Sequence, residues 1–320
     1  MTFASLKKLV LFYARFTPNY TKIGYFARGL FIRRYPRDYG GQTWLVTGAS
    51  GGIGAAIVRE GALGGASVIA IARDEQKLQH LVQSMGPLGH RVSYVVADMS
   101  TVEGVKALTS YLQDTNQHYD VLFNNVGVLL NDMQITPEGK EKTFVTNLLS
   151  HYLLTESLVG ADRFKPGATV INMTSGGMYN APLGVANLNV TDANKYVGKA
   201  VYGAQKRAQA ALTGHWNQKF NDKDVAFYVM HPGWAKTPGV KSALPIFYKL
   251  QNMILRSAYQ GAETGFWLAV TRPDVSVDPD HGVWFDQRLR PAHIFEATAT
   301  PLCSIEELVD FLETELASAL

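Results

Sequence analysis

From residue 42 onward, short apolar runs alternate with longer stretches that carry a polar face. The runs lie in TWLVTG (from residue 43), SVIAIA (67–72), RVSYVVAD (91–98), DVLFNN (120–125), ATVINMTS (168–175), VAFYVMHPG (225–233) and HGVWFD (281–286). Between them stand AAIVREGAL, DEQKLQHLVQSM, TVEGVKALTSYLQD, the long segment 138–159 and KAVYGAQKRAQAALTGHWNQKF (199–220), each with helical spacing. A strand with no in–out alternation is buried on both faces, so the pattern predicts a parallel sheet covered by helices on either side. Right-handed crossovers then make it a doubly wound, Rossmann-type α/β fold with seven parallel strands. A final helix is predicted over 304–316, where Ser304 and Glu307 form a capping box. No repeat or linker interrupts 41–290. That stretch is read as one domain, with an extension over 1–40 and a tail over 291–320.

The extension has a different pattern. Its apolar run before Arg15 is too short to span a bilayer, and no small-residue cleavage site follows it. Thr17 and Pro18 suit the cap and first position of a helix, so the extension reads as two short basic amphipathic helices. Three readings stay open for it: packing on the main domain, peripheral contact of residues 1–35 with an anionic membrane surface, and organelle targeting.

Composition narrows the class. With 47% apolar and 18% charged residues the chain is globular, not disordered. A single cysteine, Cys303, excludes an internal disulfide and suits the cytoplasm or another reducing compartment. Net charge is +3, yet residues 1–40 hold eight Lys and Arg against Asp38 alone, which leaves −4 for the remainder. A general basic face of the kind nucleic-acid binding requires is therefore not indicated. The eight histidines show no metal-ligand spacing, and no metal is expected. His231, before Pro232, reads as positional.

The first candidate for chemistry is TGASGGIG (47–54), which falls between the first strand and the first helix. Gly48, Gly52 and Gly54, with Ala49, Ser50, Gly51 and Ile53 between them, let the backbone approach a pyrophosphate seated on the helix N-terminus. An NAD-selective site places Asp or Glu about 18–20 residues further on. Ala72 stands there instead and Arg73 follows, placed to pair a 2′-phosphate. The reading is NADP(H) preferred with NAD(H) accommodated; the plain alternative is that Arg73 is a surface charge at a strand end.

The second candidate is YGAQK (202–206), which puts Tyr202 and Lys206 on one helical face. Given 15 tyrosines and about 6% lysine, one Tyr-x-x-x-Lys is expected by chance, so the motif needs partners. They are present in order. TGASGGIG, Asp98 at the end of the third strand, NNVG (124–127), Asn147 within TNLLSHYLLT, Ser175, Tyr202…Lys206, and HPGW (231–234) with Thr237 together resemble the short-chain dehydrogenase/reductase family over about 42–290. The similarity to one branch of that family runs over nearly the whole chain. Val126 replaces the usual alanine, and the 27-residue step from Ser175 to Tyr202 is longer than the usual dozen or so. Its insert resembles that of retinol-dehydrogenase-like members and contains a decoy, Tyr196, followed four residues on by Ala200.

The resemblance implies roles. Tyr202 donates a proton to the substrate oxygen. Lys206 and the nicotinamide ring favour its phenolate, and Lys206 also holds the ribose. Ser175 hydrogen-bonds the developing oxyanion, and Asn147 holds a relay water. Asp98 meets the adenine; Asn125, Gly127, Gly233 and Thr237 complete the cofactor site. The expected activity is hydride transfer between NADP(H) and a small-molecule carbonyl or alcohol. An apolar segment over 234–260, rich in Leu, Ile and aromatics, is expected to lie over the site as a lid and to admit a lipophilic aldehyde, ketone, retinoid or steroid. A non-catalytic dinucleotide sensor of the same fold is the alternative, and a sugar-nucleotide epimerase a further one, disfavoured by the single-domain length. Members of the family often form homo-oligomers.

Overall fold

A computed structural model describes residues 16–30, 35–275 and 282–319. The first basic stretch of the extension (1–15), residues 31–34 and His281 of the seventh predicted strand lie outside them. Seven parallel strands form one sheet: β1 (Thr43–Thr47), β2 (Ser67–Ala72), β3 (Val92–Val96), β4 (Tyr119–Asn124), β5 (Phe164–Met173), β6 (Val225–Met230) and β7 (Val283–Phe285). Their order is β3-β2-β1-β4-β5-β6-β7. An eighth strand, β8 (Arg288–Arg290), adds an antiparallel edge to β7. It escapes the sequence pattern because it is three residues long and two of them are Arg. Its turn, Asp286-Gln287, has both residues at positive φ (49° and 57°), a two-residue hairpin built without the usual Asn-Gly.

The helices in chain order are α1 (Lys22–Gly29), α2 (Gly52–Leu63), α3 (Glu75–Gln83) and α4 (Val102–Asp114). Next comes α5, which runs on through Lys142–Phe144, a π-helical turn Val145–Leu149 and Ser150–Gly160. The remainder are α6 (Gly198–Lys219), α7 (Pro238–Ala243), α8 (Pro245–Gln251), α9 (Ala258–Thr271) and α10 (Ile305–Ala317). Successive strand residues part to opposite faces. Trp44 and Val46 meet Ile57 and Val58 of α2 and Phe266 of α9, while Leu45 meets the layer that holds Leu108 of α4, Leu148 of α5, Leu212 of α6 and Leu308 of α10. The capping box of α10 forms as read, with Glu307 N donating to Ser304 Oγ at 3.1 Å and Ser304 N to Glu307 Oε2 at 2.7 Å. The chain departs from β1 toward β2 on one side and lies beside β4 on the other, so a crevice opens at the carboxyl ends of these two central strands.

Residues 16–30 pack on the domain. Phe16 and Tyr20 are buried among Met178, Tyr179, Val229 and Phe285. Lys22 N donates to Ile254 O at 2.8 Å, and Trp234 N donates to Tyr20 O at 2.9 Å. Asp286, in the β7–β8 turn, accepts from both Arg256 (2.7 and 2.8 Å) and Arg28 (2.6 Å), which joins α1, the start of α9 and the sheet edge.

Candidate active site

The glycine turn follows β1 at the crevice. Gly48 and Gly52 have φ of +66° and +54°, and a Cβ on Gly54 would come within 2.2 Å of Gly48 O. Only glycine at 54 lets α2 start this close to the strand end. The turn is held from β4: Asn125 Nδ2 donates to Thr47 O at 2.7 Å, and the N–H groups of Asn125 and Val126 donate to Thr47 Oγ1 at 3.0 Å. Thr237 caps α7 and comes within 3.3 Å of where a Gly52 side chain would begin, so it closes over the same turn.

A cleft of about 530 Å³ opens here, lined among others by Ser50, Gly51, Arg59, Lys77 and Lys236. Open glycine backbone at a helix N-terminus with three basic side chains suits a dinucleotide and its phosphates. Arg73 stands exposed just beyond β2 and is not part of this lining. Arg59, Lys77 and Lys236 were not singled out from the sequence; Lys77, three residues after the helix cap Asp74, carried the one legible signal. The Lys77 ammonium, 2.8 Å away, and the Lys77 N–H hold the Asp74 carboxyl below its ordinary range. Asp98 lies in the loop after β3, accepting from Ser100 N (2.9 Å) and Ser100 Oγ (2.8 Å).

Asn147 sits in the π-helical turn of α5 and is fully buried. Such turns commonly re-aim a functional side chain. Its Oδ1 accepts from Val128 N, and its Nδ2 donates to Val128 O and to Gln205 Oε1, all at 2.8 Å. Its side chain thus positions the loop after β4. The same loop carries Gly127, where an added Cβ would lie 3.4 Å from both Asn147 Oδ1 and Lys206 Nζ. Gln205, inside YGAQK itself, also donates to Leu188 O at 3.0 Å and ties that loop to the insert.

Ser175 follows β5, and Tyr202 and Lys206 lie on α6. Gly203 makes their approach feasible, since a Cβ there would meet Gly177 O at 2.9 Å. The Ser175 side chain beside the Tyr202 phenol eases its ionisation; burial works more strongly in the other direction and raises the phenol. Lys206 Nζ lies 5.9 Å from the Tyr202 ring centroid and donates to Met173 O at 2.9 Å and Gln209 Oε1 at 3.0 Å. Burial lowers its ammonium to about 7. In the protein alone burial thus outweighs the expected pull of Lys206 toward phenolate, and Tyr202 stays in the acid form.

Gly233, at φ +71°, faces Arg256 and the Tyr20 carbonyl, so it supports the junction with residues 16–30. His231 is buried; its Nδ1 accepts from Gly233 N at 2.7 Å, its ring stacks on Tyr20 at 4.4 Å, and burial pushes it down to about 3. It is neutral at physiological pH and fits a positional role. No group of three or more metal-ligating side chains occurs among the described residues.

This order of glycine turn, serine, tyrosine and lysine at one sheet edge can be set against known proteins. The short chain dehydrogenase family matches residues 42–245. The chain belongs to the short-chain dehydrogenase/reductase family. As a member it is an oxidoreductase that acts on CH–OH or C=O groups of small molecules and binds NAD(P). It is 32% identical over 317 residues to dehydrogenase/reductase SDR family member 12 of Homo sapiens, covering 97% of this chain and 98% of that one. It is 27% identical over 243 residues to Homo sapiens retinol dehydrogenase 13, covering 75% and 70%. Among solved structures, L-sorbose reductase from Gluconobacter frateurii, complexed with NADPH and L-sorbose, superposes with a TM-score of 0.61 at 21% identity, covering 74% of this chain and 93% of that one. This last likeness shows the shared fold.

Proposed function

We propose that this short-chain dehydrogenase/reductase prefers NADP(H) and interconverts a lipophilic carbonyl compound and its alcohol. The observation that carries the catalytic reading is the placement of Ser175 beside the Tyr202 phenol with Lys206 near the ring, next to the glycine turn. When bound, the nicotinamide supplies or accepts the hydride. Tyr202, a phenol in this setting, gives its proton to the nascent alkoxide oxygen. Ser175 donates a hydrogen bond to the same oxygen and so stabilises charge that appears only as the reaction proceeds. Lys206 is the positive group next to the phenolate left behind. Asn147 fixes the loop that carries Gly127 over Lys206.

The cofactor preference rests on Arg59, Lys77 and Lys236 in the cleft and Arg73 beside it, with the nearby Asp74 carboxylate already paired. The substrate class rests on the apolar segment after β6, where Trp234 packs edge-on against Phe247 (5.0 Å) and Tyr20 (6.1 Å). The Tyr20 ring reaches Gly176, the neighbour of Ser175. The similarity to a retinol dehydrogenase agrees with that class. Residues 1–35 are proposed to contact a membrane periphery. The test is NADPH and NADH consumption over a panel of aldehydes and ketones by wild type and Tyr202→Phe. Turnover that survives Tyr202→Phe overturns the assignment of the acid, and indifference to all carbonyls favours the sensor alternative.

A further inference from the structure

Two segments far apart in sequence meet on one side of the active-site crevice. Lys22 N donates to Ile254 O at 2.8 Å, so the start of α1 abuts the turn that follows α8. Each segment carries an outward apolar stripe. On α1 it is Ile23, Phe26 and Leu30, spaced i, i+3, i+7; on α8 and its following turn it is Ile246, Leu250 and Met253, spaced i, i+4, i+7. These spacings align side chains along one helical edge. All six are between 57% and 87% exposed, whereas Phe247 of α8 packs on Trp234, and Trp234 on Tyr20, just ahead of α1. The lid was expected to turn its apolar residues toward substrate; Ile246, Leu250 and Met253 point away.

The charge pattern says what covers this surface. Residues 1–37 and 225–262 contain no Asp or Glu, yet hold twelve of the 30 Lys and Arg. The rest of the chain has eighteen against 27 acids, a net −9. Lys241 and Lys249 are exposed beside the α8 stripe and Lys22 begins α1, while Arg28 and Arg256 share the one carboxylate of Asp286. A protein partner's interface mixes charges. Apolar stripes on two segments that carry Lys and Arg but no Asp or Glu match the anionic headgroups and acyl boundary of a lipid surface.

We propose that α1 and α8 together form a single membrane-docking face, so that the lid over the substrate site, and not the extension alone, seats on anionic lipid. This rests on the reading that residues 1–35 contact a membrane, and adds that α8 is half of the contact. Since Trp234 and Phe247 form the inner side of that lid, a lipophilic substrate would enter from the bilayer side.

The test is flotation of the full chain with phosphatidylcholine vesicles, with and without about one-third phosphatidylserine, at low and high salt. Wild type is expected to float with the anionic vesicles and to detach at high salt. Phe26→Glu/Leu30→Glu and, separately, Ile246→Glu/Leu250→Glu are each expected to lower partitioning by about tenfold, with an unchanged thermal midpoint. If the α8 variant floats like wild type while the α1 variant does not, the extension acts alone and the shared face is refuted. If wild type does not float and sediments as a dimer that both variants dissolve, the face joins two copies and the proposal falls. Reduction of a water-soluble aldehyde by the same variants stays at the wild-type rate in every case, so failure here is distinguishable from failure of the hydride-transfer reading.

Discussion

Replacing Lys206 by Met tests the buried ammonium directly. Lys206 is 3% exposed and burial brings it down to about 7, against 10.5 for a free lysine. The folded value is the lower one, so between these two pH values the unfolded chain holds a proton that the folded protein has released. Stability therefore rises with pH across that window, and the contribution is complete only above the unfolded value. At 1.36 kcal/mol per pH unit, discounted near pH 7 because the folded lysine is still half protonated there, the gain from about pH 7 to about pH 9 is roughly 2 kcal/mol. For a chain this long, with about 2 °C per kcal/mol, that is about 4 °C in melting temperature. The assay is thermal unfolding of wild type and Lys206→Met, without cofactor, across that pH range. Taking the difference between the two proteins cancels every other titrating group. The substitution also strips Met173 O and Gln209 Oε1 of a donor. That penalty offsets the mutant equally at all pH values, so the slope of the difference is the readout. A difference that does not change with pH would show that Lys206 titrates like an exposed lysine, and the account of a buried ammonium beside Tyr202 would be wrong.

Ser175→Ala is expected to lower kcat by about 10²–10³ with the KM for NADPH unchanged, as for the loss of one oxyanion donor; steady-state kinetics decide it, and an unaltered kcat would leave Ser175 as a cap for Gly177 alone. Lys77→Ala and Arg73→Ala are each expected to raise the KM for NADPH by about tenfold and leave that for NADH in place, since a charged hydrogen bond to phosphate contributes about 1.5–3 kcal/mol; equal effects on both cofactors would refute the 2′-phosphate reading. Asp286→Ala leaves Arg256, 1% exposed on its side chain, as an uncompensated buried charge, and is expected to cost about 3–5 kcal/mol. Calorimetry reads that loss, and limited proteolysis within residues 16–30 should accelerate with it.

Hydrophobic periodicity carried the fold because burial on both faces writes itself into every central strand. SVIAIA matches β2 residue for residue, and the long apolar run of 168–175 gives the inner part of β5. Pairings between distant residues leave no such trace. In sequence Asp286 closes the predicted strand HGVWFD; that it instead lies in a turn and gathers both Arg28, near the chain's start, and Arg256 is a fact of three dimensions. Of the extension's helices, α1 was legible in kind but not in place: it starts at Lys22 after Thr21, and Thr17 and Pro18, expected to cap and open it, already lie in a helical turn; the docking of Phe16 and Tyr20 beside Tyr179 and His231 was not legible. Arg73 follows from counting along β2 yet lies outside the cleft lining, whereas Lys236, next to the expected Thr237, lines it.

The long interval between Ser175 and Tyr202 shows why spacing and geometry part company. The two side chains meet because Ser175 follows a strand and Tyr202 lies in the first turns of a helix that packs beside it through glycine: a Cβ on Gly203 would meet Gly177 O at 2.9 Å, and one on Gly177 would come within 3.1 Å of the Tyr202 ring. Neither contact depends on how many residues intervene. The insert leaves and returns on the outside. Arg207 Nε donates to Ala181 O at 3.1 Å, Leu302 N to Leu183 O at 2.7 Å, and Tyr196 Oη to Leu130 O at 3.1 Å. Lengthening a loop costs entropy only logarithmically, and these bonds offset it locally. A tyrosine inside such an insert can therefore carry the right residue type and still stand outside the chemistry. Tyr196 is bound to the loop wall, whereas Tyr202, with a lysine one helical turn on, has its hydroxyl at the serine.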